Sequence, residues 1–146
     1  MEGFKTRCFI DTNVLIDVLD QTRPHSCASS VIFQAAKSGL MEVFLSIQSI
    51  LDASYILLEE KGQAKSLFNS AIAGILTYVN IISPDTFELR NVLSRDKGDF
   101  EDDIIFEMAD YKSCDFLITS DKSFINRYDA KVPVMMDPET FVSKMN

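Results

Sequence analysis

The apolar run CFI, residues 8–10, stops on Asp11, and the run FLI, residues 116–118, stops at Thr119, Ser120 and Asp121. Between them, Asp52 falls about a turn and a half of helix beyond Ser46. Asp99, Glu101, Asp102 and Asp103 crowd the stretch after Gly98. Carboxylates gathered in one place repel and raise one another's pKa, so such a set calls for a cation. Oxygen donors without His or Cys suit hard divalent ions, Mg²⁺ or Mn²⁺, which keep several waters and bind substrate phosphate. Two such ions about 4 Å apart can activate a water and stabilise the leaving oxygen of a phosphodiester. Each acid also has a plain structural role open to it. Asp11 suits a helix N-cap, Asp121 a turn, Asp102 the positive end of a helix dipole, and Asp52 a solvated helix surface.

The metal reading therefore depends on the elements that position these acids. Short apolar runs alternate with amphipathic stretches along the whole chain. RCFI and MEVFLS (residues 41–46) read as strands, VNIIS (79–83) and DFLITSD (115–121) likewise, and VPVMM as a weak edge strand. Helical spacing is clear at residues 26–38, at 47–61 up to Gly62, at 63–78, and after Pro84, which is expected at the first position of its helix. A further helix follows Gly98, and Asp137-Pro138 caps a last one. Such alternation implies βαβ units with right-handed crossovers. The expected fold is α/β: residues 1–146 as a single domain, with a mainly parallel sheet of about four to five strands and helices on both faces. Ligands gather at the carboxyl ends of such strands. If the runs ending at Asp11 and Asp121 are neighbours, both carboxylates enter one crevice. In the helix after Gly98, Ile105, Phe106 and Ala109 lie three, four and seven positions beyond Asp102, which places Asp102 at the core-facing end. Asp103 points about 100° away.

Composition excludes several classes. The 146 residues are 47% hydrophobic and 25% charged, as expected for a globular chain with a sizeable core. No apolar run approaches a membrane span and MEGFKTR lacks a secretory h-region, so a cytoplasmic location is expected. Three cysteines without CxxC spacing suggest neither a disulfide framework nor a thiolate metal site, and the single His25 cannot furnish a His-rich one. The net charge of −8 runs against the basic footprint of a nucleic-acid binder. Positive charge must then be local: bound ions, or a rim of Arg95, Lys97, Lys122, Arg127 and Lys131 beside the acidic motifs.

DTNVLID at residue 11, LSIQSILDASYIL at 45, DFEDDIIFEMA at 99 and FLITSDKSF at 116 resemble, in order and spacing, the motifs of the PIN-domain ribonucleases. The group they most resemble is the VapC-type toxins of toxin–antitoxin pairs. The resemblance implies a PIN-like fold and Mg²⁺- or Mn²⁺-dependent hydrolysis of RNA phosphodiester bonds by an activated water. It also implies Asp11, Asp102 and Asp121 as metal ligands, Asp99 as an auxiliary acid, and Asn13 and Thr119 as supporting residues. Asp52 stands where the family usually carries Glu, shorter by one methylene, so its arm would reach an ion through water. Partners implied are an RNA substrate, an antitoxin protein and a second copy in a homodimer, for which Phe33, Phe44, Tyr55 and Phe68 are the apolar candidates. The competing reading is a catalytically degenerate PIN-fold module that binds protein or RNA. A receiver-like phosphatase would need an acidic pair beside its nucleophilic Asp, which DTN does not offer.

Overall fold

A computed structural model describes residues 3–128 and 130–145. Strand β1 (Thr6–Ile10) leads directly into helix α1 (Thr12–Leu19), and α2 (Ser26–Lys37) returns the chain to β2 (Met41–Ser46). Helix α3 (Ile47–Ser54) widens into a π-type turn over Tyr55–Glu60, followed by α4 (Lys65–Ile75) and β3 (Asn80–Ile82). Helices α5 (Thr86–Leu93) and α6 (Phe100–Tyr111) precede β4 (Phe116–Ile118), and α7 (Lys122–Arg127), β5 (Val134–Met136) and α8 (Pro138–Lys144) complete the order. The five strands form one parallel sheet, ordered β3-β2-β1-β4-β5.

The pleat of β1, β2 and β4 sorts two cores. Cys8, Ile10, Val43, Leu45 and Ile118 face one side with Val14, Leu15, Ile32, Phe33 and Phe141. Phe9, Phe44 and Leu117 face the other, with Ile105, Met108 and Phe124 from α6 and α7. Alternate residues point to opposite faces, and both are covered by helices, which is why these strands read as continuous apolar runs. Strand order runs outward from β1 through β2 to β3, then resumes on the other side with β4 and β5. The reversal falls at the carboxyl ends of β1 and β4, the usual place for a ligand crevice in an open α/β sheet.

Several local expectations shift. Pro84 precedes the helix instead of opening it: Asp85 is the N-cap, receiving the Phe87 amide while Glu88 receives the Asp85 amide. That reciprocal pair satisfies two amides that the start of a helix leaves without intrahelical partners. The 63–78 helix is confined to Lys65–Ile75. Phe33, Phe44 and Phe68 belong to the core, whereas Tyr55 is exposed. His25 is the N-cap residue of α2 and reaches Glu139 on α8 at 2.5 Å. The cysteines are free, with Cys8 and Cys114 buried and Cys27 exposed. No helix of the described residues is long and apolar enough to cross a membrane.

Candidate metal centre

Asp11 is the residue at which β1 becomes α1. Its backbone amide donates to the Ile118 carbonyl at 3.0 Å, so the ends of β1 and β4 are joined at this point. Its Oδ1 receives the Thr12 amide at 2.8 Å, which makes it the N-cap of α1. Its Oδ2 receives the Thr119 hydroxyl at 2.8 Å and the Asn13 amide at 3.3 Å. Asn13 Oδ1 in turn receives the Ser120 amide, and Thr119 Oγ1 receives the Asp121 amide. The capping and crevice roles are thus filled by one side chain, one oxygen for each.

Burial pushes the Asp11 carboxyl above its ordinary range, and the Asp121 charge adds to this; the bonds from Thr119, Thr12 and Asn13 pull it down. Asp121 caps α7, with Ser123 N, Ser123 Oγ and Phe124 N all donating to Oδ1. Those bonds, led by the Ser123 hydroxyl, hold it below the usual carboxylate range. The other carboxylate oxygen takes none of them.

The first turn of α6 supplies the third group of acids. Asp99 is its N-cap and receives the Asp102 amide at 3.1 Å. Asp102 is pushed up to about 6, first by desolvation and then by the charges of Asp99 and Asp11, against the Arg127 guanidinium that donates to its Oδ2. Asp103 turns away: it is buried, receives the Tyr128 hydroxyl, and lies 3.5 Å from Arg95. Asp52, half-buried on α3, receives the Gln48 side-chain amide at 2.9 Å. Helix α3 is tied to α1 by the 2.7 Å contact between the Thr12 and Ser49 hydroxyls.

Glu101, one of the acids after Gly98 that helical spacing passes over in favour of Asp102, is exposed at the start of α6. Its carboxyl is raised by burial and then by the charges of Asp52, Asp11, Asp99 and Asp102. The signal was present in the spacing. Ile105, Met108 and Ala109 are the buried residues of the later turns, and they follow Glu101 by four, seven and eight positions. Counting Phe106 instead of Met108 as core-facing gave Asp102 alone. Sequence spacing also could not show that Arg127 bonds Asp102, because the two lie 25 positions apart on different helices. Of the expected basic rim, Arg95, Lys97 and Arg127 converge on a cavity of about 570 Å³ beside Asp103 and Tyr128.

The donors around the crevice are oxygens, in excess of the one guanidinium that meets them, and this chemistry fits a hard divalent ion. Among the described residues no three acidic, histidine or cysteine side chains are clustered tightly enough to hold one. Asp102, bonded to Arg127, would have to turn from it.

A family model described as a PIN domain matches residues 7–123. Among solved structures, the crystal structure of VapC20 from Mycobacterium tuberculosis, a toxin that cleaves the sarcin-ricin loop, superimposes with a TM-score of 0.65 at 17% identity, covering 86% of this chain and 98% of that one. PAE2754 from Pyrobaculum aerophilum gives 0.62 at 16% identity, covering 96% and 89%. At such identities the likeness is one of fold. No curated protein matches significantly.

Proposed function

Because the chain belongs to the PIN-domain family, a family of nucleases and toxins, we propose that it is an Mg²⁺- or Mn²⁺-dependent endoribonuclease, built as one domain over residues 1–146. The reading is supported by one arrangement: Asp11 and Asp121 follow the neighbouring strands β1 and β4 where the strand order reverses, and the Asp11 charge is felt by Asp102 on α6. Asp11, Asp102 and Asp121 would hold the ion, with Asp99 auxiliary and Asp52 approaching from α3. A bound divalent cation supplies positive charge to a phosphate and makes a nearby water more acidic. Thr119 and Asn13 fix the Asp11 carboxylate, so that it is aimed before substrate arrives. Arg127, once released by Asp102, would be a cation free to meet a substrate phosphate.

Three further expectations come with the family: a cytoplasmic setting, an antitoxin partner and a homodimer. A second reading, a degenerate module that binds RNA or protein without cutting, is favoured by Asp52 in place of Glu and by the Arg127–Asp102 pair. Cleavage of a panel of tRNA, rRNA fragments and single-stranded RNA with Mg²⁺, Mn²⁺ or EDTA separates them. Discrete metal-dependent cuts that Asp102→Asn reduces by roughly 10²-fold or more are expected. Metal binding without any cut assigns the chain to the second reading.

A further inference from the structure

A cleft lies along α6, lined by its Phe100, Glu101 and Ile104, whereas Asp103 of the same helix faces the Arg95, Lys97 and Arg127 cavity. Its volume is about 420 Å³. Gln48, Pro84, Glu101 and Ile104 also line a smaller recess of about 150 Å³, so the two are neighbouring parts of one depression. The walls are Pro84 and Leu89 on one side and Phe100 and Ile104 on the other. Phe100 is 54% exposed and Leu89 39% exposed, so the cleft presents apolar surface to solvent. The volume lies within the range of about 300–1,000 Å³ typical of small-ligand sites.

The polar groups select the ligand. Among the described residues lining both parts there is no lysine or arginine, and Asp85 and Glu101 are acidic. Such walls repel phosphate and accept hydrogen bonds. An aromatic ring over an apolar floor suits a flat π-system, which is how single-stranded RNA bases are held once unstacked. A carboxylate accepts only, and binds best to two donors side by side. Guanine presents such a pair on its Watson–Crick edge, N1–H and the 2-amino group, whereas cytosine, adenine and uracil each offer one donor group there. Gln48, anchored by its bond to Asp52, adds a second polar group next to Glu101.

We propose that this cleft is a subsite for one unstacked guanine of the RNA substrate, stacked on Phe100 with its donor edge turned to Glu101 and Gln48. This rests on the ribonuclease reading. Glu101 lines the cleft and directly precedes Asp102 in the first turn of α6, so a guanine seated there would bring an adjoining phosphate toward the α6 acids. The enzyme would then cut beside guanine in single-stranded or splayed segments.

The site itself is read by methyl NMR of the whole chain titrated with GMP, CMP, AMP and UMP. GMP is expected to shift the Leu89 and Ile104 methyl signals more than the other three, and Phe100→Ala to remove those shifts. Phe100 is exposed, so this variant leaves the core intact; Leu89→Ala is the second. GMP shifts confined to the surroundings of Arg127 and Lys97, or shifts equal for all four nucleotides, overturn the proposal. In parallel, a randomised RNA pool is cut by wild type and Phe100→Ala, with guanine expected at a fixed place beside the cut and KM raised roughly 10-fold in the variant. Cutting without base preference overturns the guanine subsite and leaves the nuclease standing. GMP shifts at Leu89 and Ile104 with no RNA cut keep the guanine site and overturn the nuclease.

Discussion

Thr119 shows how much depends on one hydroxyl. It donates to Asp11, receives the Asp121 amide, and lies within 3.3 Å of the Asn13 side-chain amide, all without exposure to solvent. Thr119→Val keeps the shape and removes these bonds, leaving a buried carboxylate short of a donor. A loss of about 1–3 kcal/mol is expected, read by urea unfolding, together with weaker cleavage; unchanged stability would refute the bond's importance. Asp52 offers the reverse experiment. If its short arm limits the reach to an ion, Asp52→Glu should tighten Mn²⁺ binding roughly 10-fold, the scale on which outer contacts act at metal sites. Calorimetry with the same affinity for both proteins would sink that account.

Among the elements, α6 matters most because its first turn carries Asp99, Glu101 and Asp102 together. Gly98 sets its entry with φ at +100°, a conformation costly to any side chain. Gly98→Ala is expected to cost about 1 kcal/mol or more and to lower activity by displacing the turn. Equal melting temperatures and equal rates would show the loop tolerates the change. The strands and most helices were legible in the sequence, MEVFLS to its residue bounds, because apolar runs between amphipathic stretches leave little choice in a parallel sheet. Asp11 and Asp121 were legible for the same reason, since a polar residue ending an apolar run marks the strand's end. What escaped were relations across elements, such as Asp102 with Arg127, and the face of α6 to a resolution of one residue. A 100° step per residue makes neighbouring acids hard to separate until the packing partner is known.

At the scale of the molecule, a net charge of −8 combines with carboxyls that are desolvated and feel one another's charge. Asp11, Glu101 and Asp102 all have native pKa values above their ordinary ones. A raised carboxyl contributes stability that is complete below its unfolded pKa and is lost as pH rises through the folded value, about 6 for Asp102. The metal-free protein should therefore melt higher at pH 5 than at pH 7, and Mg²⁺ or Mn²⁺ should recover the difference at pH 7. His25, raised by its bond to Glu139, acts in the same direction, so the scan is run on His25→Gln as well. A flat melting temperature over this window, with no response to the ions, would contradict the picture of mutually repelling acids.

The pairing of β1 with β4 has a consequence in time as well as space. The Thr119 hydroxyl and the Asp11 carboxylate it holds are 108 positions apart. On a translating ribosome, a chain can form β1, α1 and β2 early, yet its first acid waits for the Thr119 hydroxyl until β4 has emerged. Any chemistry that needs the Asp11 carboxylate aimed by Thr119 therefore waits until both segments have left the ribosome.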